Sequence, residues 1–265
     1  LPPAPSFIEP EIMRQSLKLY HTNKLFQFLS FHFGQEATEE LMLRYHVGTS
    51  KHWPGATVFW QVDISGRVRT GKVMLYNPEN GRRIKEPHNY ITWVHSLLKK
   101  ENFNLRQCLF GEHLLTSDQQ RPVALVESEK SALISSFYLP QYLWIASGGK
   151  NGAFNRDAMS VLLFPDLGAT DYWNSKMEMI RSLGIEVSLF DFMERNATKE
   201  ERDAGYDIAD FLLREETKEA ILNRLITLNP ALKTLVETFD LQLVDVKKAP
   251  FSATVQHARE GLFKR

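Results

Sequence analysis

Cysteine is almost absent from the sequence, which has a single one, Cys108, among 265 residues. One cysteine cannot form a disulfide within the chain or build a cysteine-rich zinc site, and in its apolar segment Cys108 is expected to be buried. Long apolar runs are also missing, because stretches such as 122–126 and 161–164 are far shorter than the ~20 residues that span a bilayer. No nucleophile elbow, P-loop or dinucleotide fingerprint is present. These absences exclude a disulfide-stabilised scaffold, and they argue against the enzyme classes that carry those three motifs. No membrane partner is expected.

The first residues lack the charged and apolar regions of a secretory signal, so a cytoplasmic location is expected. Proline is concentrated here, and residues 1–10 are expected to form an extended linker. Elsewhere the composition is ordinary for a globular protein, with 43% hydrophobic and 24% charged residues. A chain of this length and composition forms one large domain or two smaller ones.

The charges are unevenly distributed although the formal net charge is zero. Residues 44–100 contain ten Lys and Arg against three acids, a net charge of +7, whereas residues 190–220 contain five against ten, a net charge of −5. One interpretation is a basic half that faces a polyanion and an acidic half that holds cations. The alternative is two solvated surfaces that differ in sign.

The first half of the sequence predicts helices followed by an antiparallel hairpin. Apolar residues recur at helical spacing over 10–33, and a second helix is predicted over 36–45 with Thr38 as its N-cap. Residues 56–86 are rich in β-branched and aromatic residues around two turn signals, which is typical of a hairpin or meander. A further helix is predicted over 90–100.

From residue 122 onward, short apolar strands alternate with helices. The predicted strands are 122–126, 142–146, 160–164 and 184–190, and the predicted helices between them include 128–137 and 171–183. This alternation is typical of βαβ units. It predicts the α/β fold class, with a mostly parallel sheet flanked by helices and preceded by a small α+β subdomain.

Acidic residues follow two of these predicted strands. Glu127 ends the first strand, and Asp166 ends the third. Because reactive groups gather at the carboxyl ends of strands in an open α/β sheet, the two carboxylates are expected to lie near each other. An oxygen-rich pair suits Mg²⁺ or Mn²⁺, which act on phosphoryl oxygens by neutralising charge. The alternative is that both are ordinary acids at a wet sheet edge.

Three segments resemble a Toprim domain, the module shared by bacterial-type primases, type IA and II topoisomerases and related nucleases. They are VESEKSAL (126–133), ASGGKNG (146–152) and LLFPDLGATD (162–171). Their order, a glutamate after the first strand, a glycine-rich turn after the second and an aspartate after the third, is that of the family. The later segment GYDIADFLL (205–213) is similar to the end of the domain in primases. The resemblance is to primase-like proteins of bacterial mobile elements.

The resemblance implies roles for individual carboxylates. Glu127 matches the family's glutamate, a metal ligand or general acid or base, and Asp166 matches the first aspartate of an Asp-x-Asp pair. Gly168 stands where the family has the second aspartate, and losing one of three carboxylates weakens divalent-ion binding. Asp171 is a candidate metal ligand that compensates in part, and the alternative is an acid at a helix start, where the helix dipole favours it. Glu129 faces either the site or solvent.

The glycine-rich turn is a candidate for binding nucleotide or nucleic acid. Successive glycines free backbone N–H groups to approach an anion, and a lysine adds charge. The candidate residues are Gly148, Gly149 and Lys150. The alternative is a tight turn that requires glycine only for its positive φ.

A second candidate lies in the basic half. The segment GRVRTGKV (66–73) resembles the subdomain that precedes Toprim in primases and offers basic residues to template and nucleotide. Arg67 and Arg69 are two apart on a predicted strand, so they share a face and form a candidate phosphate track. Lys72 is a further candidate for binding nucleic acid or nucleotide, although it falls on the other face unless the strand bends at Gly71. A solvated strand face is the alternative.

Together these features predict an α+β primase-like subdomain over 11–118, a Toprim-like domain over 119–215 and a helical extension over 216–265. The resemblance implies metal-dependent nucleotidyl transfer on DNA in mobile-element replication. It also implies Mg²⁺ or Mn²⁺ as cofactor, and single-stranded DNA and nucleotides as partners. Two alternatives stay open: a non-catalytic nucleic-acid-binding module with a degraded metal site, and a Toprim-type nuclease. The sequence leaves the oligomeric state open.

Overall fold

The computed structural model describes residues 3–118, 121–148, 160–214, 222, 225–226 and 229–241. The chain divides into two compact units, residues 1–212 and 213–265. The first unit contains two four-stranded sheets, one antiparallel and one parallel. Within the described ranges, each helix is too short or too polar to cross a membrane.

Three short helices open the first unit: α1 (Pro10–Ser16), α2 (Lys24–Phe33) and α3 (Gln35–Arg44). The spacing over 10–33 predicts one continuous helix, but the chain breaks between α1 and α2. Leu19 adopts a left-handed conformation with a φ of 58°, and a 3-10 turn (Tyr20–Thr22) follows. Asn23 then caps α2, because its side chain accepts the N–H groups of Leu25 and Phe26.

The predicted N-cap of the second helix is wrong. Thr38 lies inside α3, and its hydroxyl donates to the carbonyl oxygen of Gly34 at 2.7 Å. The helix begins three residues earlier, at Gln35, because Gly34 has a φ of 84° and allows the chain to turn sharply after α2.

The antiparallel sheet has the order β1-β2-β3-β4, with strands β1 (Val47–Ser50), β2 (Ala56–Val62), β3 (Val68–Met74) and β4 (Ile91–Trp93). The hairpin predicted over 56–86 is confirmed by the pairing of β2 with β3. The helix predicted over 90–100 is shorter than expected, because Ile91 and Thr92 pair with β3 as an edge strand. Only α4 (Val94–Leu97) is helical there.

Residues 3–9 pack onto this sheet, which differs from the linker predicted over 1–10. The N–H of Ile8 donates to the carbonyl oxygen of Val68 at 2.8 Å, and Ile8 is buried in one hydrophobic cluster with Val58 and Trp60. The segment is extended, as its prolines require, but its apolar side chain adds to the core.

The parallel sheet has the order β6-β5-β7-β8, with strands β5 (Val123–Val126), β6 (Leu143–Ala146), β7 (Ser160–Leu163) and β8 (Glu186–Leu189). All of its strand pairs are parallel, so the predicted α/β class is confirmed. Its helices are α5 (Glu129–Tyr138), α6 (Thr170–Ser182), α7 (Phe192–Asn196), α8 (Lys199–Ala204) and α9 (Ile208–Leu212). Every residue of β5 and β6 is buried, as expected for short apolar strands covered on both faces.

Buried aromatic residues join the two sheets. Tyr45, just after α3, donates its hydroxyl hydrogen to the carbonyl oxygen of Trp144 in β6 at 2.9 Å. Phe110 stacks on Tyr45 and pairs through its backbone with Ala146, the last residue of β6. Cys108, close by in sequence, is buried as expected. Phe110 also contacts Phe59 of β2 edge to face, so the antiparallel sheet packs at the carboxyl end of the parallel one.

Two histidines stack beside this junction. The ring centroids of His46 and His113 are 4.3 Å apart, and His113 belongs to a 3-10 turn (Glu112–Leu115). Nε2 of His113 lies 3.0 Å from the carbonyl oxygen of Arg44, so this nitrogen carries the proton of the neutral ring. Burial, followed by the neighbouring His46, lowers the pKa of His113 to about 4. Burial also lowers the pKa of His46.

This pair predicts a loss of stability in mild acid. The unfolded chain protonates these rings near pH 6.5 and the folded chain resists protonation, so folding is unaffected above that pH and weakens as the pH falls towards 4. We expect His113→Gln to remove about 2 kcal/mol of this destabilisation. Urea unfolding of both proteins at pH 7 and pH 4.5 measures it. An equal drop in both proteins would contradict the assignment.

The second unit contains helix α10 (Ala231–Phe239). It follows Pro230 and ends at Asp240, whose φ of 49° is left-handed. Of the helical extension predicted over 216–265, residues 216–221, 223–224, 227–228 and 242–265 lie outside the described residues.

Candidate functional site

The order of the parallel strands defines where a ligand site belongs. From β5 the chain passes through α5 to β6 on one side, and it then crosses to β7 on the other side of β5. The carboxyl ends of β5 and β7 therefore flank a topological switch point, where open α/β sheets form a ligand-binding crevice. The two strands pair in register up to Leu125 and Leu163. The segments that follow them leave the same edge of the sheet side by side.

Glu127 lies at this edge, between β5 and α5. The residue is only 9% exposed, and Oε1 accepts a hydrogen bond from Nε1 of Trp173 at 3.0 Å. From the described residues, Oε2 accepts no hydrogen bond. The protein therefore holds one carboxylate oxygen of Glu127 through the indole of Trp173.

Asp166 leaves the same edge after the neighbouring strand β7. It is half-buried, and its carbonyl oxygen accepts the N–H of Ala169 at 2.9 Å. The next residue, Leu167, donates its N–H to the carbonyl oxygen of Tyr206 at 2.9 Å. These backbone hydrogen bonds fix the loop that carries the Asp166 carboxylate.

Carboxylate oxygens, which follow both adjacent strands here, are the type of ligand that Mg²⁺ and Mn²⁺ prefer. Magnesium commonly binds through one or two carboxylates and keeps water and substrate phosphates as its other ligands. Asp171, the third predicted ligand, lies exposed in the first turn of α6, where the helix dipole favours an acid. Across the described parts of the chain, no three His, Cys, Asp or Glu side chains form a metal-binding group. The structure therefore does not gather Glu127, Asp166 and Asp171 into one such group.

Gly168 occupies the position where the Toprim resemblance implies an aspartate. Its φ of 80° is in the left-handed region, which glycine adopts without strain. Its N–H donates to Oε2 of Glu194 at 3.0 Å, and the Thr170 hydroxyl donates to the same oxygen at 3.2 Å. The N–H of Gly168 is the main cause that holds the pKa of Glu194 below its usual range. The backbone conformation at position 168 therefore disfavours any residue with a side chain. The loop is stabilised by the carboxylate of Glu194 from α7.

Lys72 and Gly148, both predicted to bind nucleic acid or nucleotide, contact each other. Nζ of Lys72 lies 3.1 and 3.2 Å from the carboxylate oxygens of Glu129 and donates to the carbonyl oxygen of Gly148 at 3.1 Å. The Lys72 and Glu129 side chains are 12% and 3% exposed, so the ion pair is buried. The charge of Lys72 is balanced inside the protein, where it joins β3 to α5 and to the turn after β6. The other predicted residues of that turn, Gly149 and Lys150, lie outside the described residues.

Arg67 and Arg69 lie side by side, as their spacing predicts. Their Nε atoms donate to Oδ2 of Asp63 at 3.1 and 2.8 Å, and both guanidinium groups lie over the Phe7 ring. Burial raises the pKa of Asp63. Hydrogen bonds from the Arg67 backbone and the Arg69 side chain stabilise the charged carboxylate more strongly than burial disfavours it, so the pKa of Asp63 is below its usual value. Asp63 balances one of the two positive charges. The Arg67 side chain is 52% exposed, so it retains accessible donors for a phosphate.

The segment that resembles the end of a primase Toprim domain packs on α5. A carboxylate oxygen of Asp207 accepts the hydroxyl hydrogen of Ser131. Asp207 also accepts the backbone N–H of Asp210 at 3.0 Å, and Asp210 accepts that of Asp207 at 3.1 Å. Burial, followed by the charge of Asp207, raises the pKa of Asp210. These carboxylates stabilise the start of α9.

Two functional contacts were missed in the sequence analysis: that of Trp173 with Glu127 and that of Asp63 with the two arginines. The first contact spans 46 positions, and a tryptophan in an amphipathic helix is typical of core packing. The second has a local signal, since an aspartate before a Ser-Gly turn often accepts backbone N–H groups, and Asp63 accepts those of Ser65 and Arg67 at 3.0 Å.

The fold and site define an α/β protein with a pair of carboxylates at a topological switch point. The chain belongs to the family described as Domain of unknown function (DUF6371), whose model matches residues 23–167, just over half of the chain. No curated protein matches the sequence.

Several solved structures of primases are similar to this chain. The E. coli primase catalytic core is 13% identical with a TM-score of 0.46, and the match covers 84% of this chain and 89% of that one. The RNA polymerase domain of Mycobacterium tuberculosis primase DnaG is 11% identical with a TM-score of 0.46, and the match covers 96% of both chains. A DnaG primase catalytic domain bound to ssDNA is 14% identical with a TM-score of 0.41, covering 95% and 96%.

Proposed function

We propose that the chain is a primase-like Toprim protein that acts on DNA by metal-dependent nucleotidyl transfer in the replication of a mobile element. The observation that carries this proposal is the position of Glu127 and Asp166. These two carboxylates match the Toprim motifs, and they follow adjacent parallel strands at the switch point. Gly148, the described glycine of the glycine-rich turn, follows β6 at the same edge of the sheet.

Each group has a defined task in this proposal. A Mg²⁺ or Mn²⁺ held by Glu127 and Asp166 supplies the positive charge that stabilises phosphoryl transfer. The protein fixes the first carboxylate through Trp173 and the second through the backbone of its loop. Arg67 and Arg69 bind phosphates of single-stranded DNA, and the incoming nucleotide binds near the glycine-rich turn.

A second candidate is a non-catalytic nucleic-acid-binding module. It is favoured by Gly168, because the resemblance implies three carboxylates and the chain has two there. It is also favoured by the lack of a three-ligand group among the residues that the structure describes. In this candidate the arginine pair binds DNA, and the sheet edge carries out no reaction.

Primer synthesis on single-stranded DNA separates these candidates. The full chain is incubated with circular single-stranded DNA, labelled ribonucleotides and millimolar Mg²⁺ or Mn²⁺. The proposal predicts labelled oligonucleotides that disappear when EDTA is added. Cleavage of the circle would instead indicate a Toprim-type nuclease. DNA binding without either product would indicate the binding module.

The arginine pair predicts how DNA affinity depends on salt. Each phosphate contact that is lost reduces the slope of log affinity against log salt by about 0.7 for single strands. We expect Arg67→Ala to weaken binding of single-stranded DNA about three- to tenfold. We also expect it to lower the magnitude of this slope by about 0.7, the value for one lost contact. Fluorescence anisotropy at several salt concentrations measures both quantities.

The matched control is Arg195→Ala in the acidic half, where Arg195 is 71% exposed and paired with Asp191. It is expected to leave affinity unchanged. If Arg67→Ala binds DNA with the affinity and salt slope of the wild type, the phosphate track does not exist. Arg69 is more buried, so its replacement is tested only in the double variant Arg67→Ala/Arg69→Ala.

A further inference from the structure

The hydrogen bond between Trp173 and Glu127 joins α6 to the carboxylate at the end of β5. Nε1 of Trp173 and Oε1 of Glu127 are 3.0 Å apart, and the two residues are 3% and 9% exposed. An indole N–H is a donor only. This N–H neither ligates a cation nor ionises at neutral pH, so its effect on the chemistry passes through the carboxylate that it binds.

We propose that Trp173 is a positioning residue for Glu127, an inference that rests on the function proposed above. The indole binds one carboxylate oxygen and restricts the side chain to few rotamers, which leaves Oε2 in a fixed position for a cation. A hydrogen bond to an ionised acceptor in a buried setting is stronger than one between neutral groups. Groups that orient metal ligands in this way commonly change metal affinity about 10- to 100-fold when they are removed.

The same contact sets the position of Glu127 relative to Asp166. Trp173 is the fourth residue of α6, and its backbone N–H donates to the carbonyl oxygen of Ala169 at 3.1 Å. The N–H of Ala169 donates in turn to the carbonyl oxygen of Asp166 at 2.9 Å. A continuous series of hydrogen bonds therefore crosses the switch point from one carboxylate-bearing segment to the other. Loss of the indole N–H breaks this series at the Glu127 side chain.

Trp144 is the matched control for this proposal. It is fully buried in β6 of the same sheet, and its Nε1 donates to the carbonyl oxygen of Leu139 at 2.9 Å. Trp144→Phe and Trp173→Phe therefore remove similar hydrogen bonds and similar volumes. Only the second removes a bond to a carboxylate of the site.

The test is the affinity for Mn²⁺, measured by electron paramagnetic resonance on the full chain. We expect Trp173→Phe to weaken binding at least about tenfold and Trp144→Phe to leave it unchanged.

The outcomes separate this inference from the proposed function. If the wild type binds Mn²⁺, Glu127→Gln loses binding and Trp173→Phe keeps wild-type affinity, the positioning role is overturned while the proposed function stands. If the wild type does not bind Mn²⁺, or Glu127→Gln binds it equally well, both are overturned.

A measurement without metal covers the case in which Trp173→Phe does not fold. Proton–nitrogen spectra resolve the indole N–H of each tryptophan. In Glu127→Gln, the resonance of Trp173 is expected to shift, because its acceptor becomes a neutral amide, and that of Trp144 is not. An unshifted Trp173 resonance would show that the bond to the carboxylate is absent and would overturn the proposal.

Discussion

The Glu127→Gln variant is expected to lose primer synthesis by about a thousandfold or more while it keeps wild-type stability. Glutamine has the same shape but no charge, so it no longer binds a divalent cation well. Its Oε1 can still accept the N–H of Trp173, so the contact between β5 and α6 survives. The rate of nucleotide incorporation at saturating Mg²⁺, together with a urea unfolding curve, measures both expectations.

Glu186→Gln is the matched control for this prediction. Glu186 is exposed and begins β8, at the opposite edge of the same parallel sheet. It is expected to retain the full rate. If Glu127→Gln keeps more than about a tenth of the wild-type rate, or if both variants lose activity equally, the carboxyl edge of the sheet is not the reaction site.

Lys72→Met is expected to destabilise the protein by about 3–5 kcal/mol, the largest stability effect of any single change considered. The substitution leaves the Glu129 carboxylate buried without its cation, and the carbonyl oxygen of Gly148 loses its donor. The side chain of Glu129 is only 3% exposed, so water cannot replace the lost ammonium group. Urea unfolding at pH 7 measures the change.

Two comparisons sharpen the Lys72 prediction. The double variant Lys72→Met/Glu129→Gln is expected to be more stable than Lys72→Met, because neither charge remains buried. The exposed pair of Lys100 and Glu9, with Nζ 2.7 Å from the carboxylate, is the control, and Lys100→Met is expected to change stability by less than about 1 kcal/mol. A small effect of Lys72→Met, comparable to that of Lys100→Met, would contradict the buried ion pair.

The parallel sheet could be predicted from the sequence because its information is local. Each strand is a short apolar run that ends at a polar residue or turn, and the strands alternate with helical segments. The errors occur where tertiary contacts override local pattern. Ile91 and Thr92 become an edge strand because β3 offers free hydrogen-bonding groups, and the helix expected over 10–33 breaks where Asn23 caps a second helix.

For the candidate site, the sequence predicts only where the two carboxylate-bearing segments lie, because strand order determines that. Glu127 follows β5 and Asp166 follows β7, and these two strands are paired in the sheet, so strand order alone brings the two segments together. The contacts that set their environment join distant positions. Trp173 reaches Glu127 across 46 residues and Lys72 reaches Glu129 across 57. A surface lysine and a buried lysine have the same local pattern in a strand, so the internal role of Lys72 has no signal in one sequence.

The conformation of Gly168 also changes the meaning of the missing aspartate. A simple loss of one carboxylate would be reversed by Gly168→Asp. In this loop, however, the residue at 168 has a φ of 80° and its N–H binds Glu194, so an aspartate there would be strained. The proposed metal site therefore depends on two carboxylates and on the groups that hold them.

The position of a bound divalent ion tests this account most directly. Crystals of the full chain soaked in millimolar Mn²⁺ give an anomalous difference signal at the ion. The account predicts one peak at the carboxyl ends of β5 and β7, about 2.1 Å from an oxygen of Glu127 and from an oxygen of Asp166. A map with no peak between these two side chains, or with the ion bound elsewhere, would contradict it.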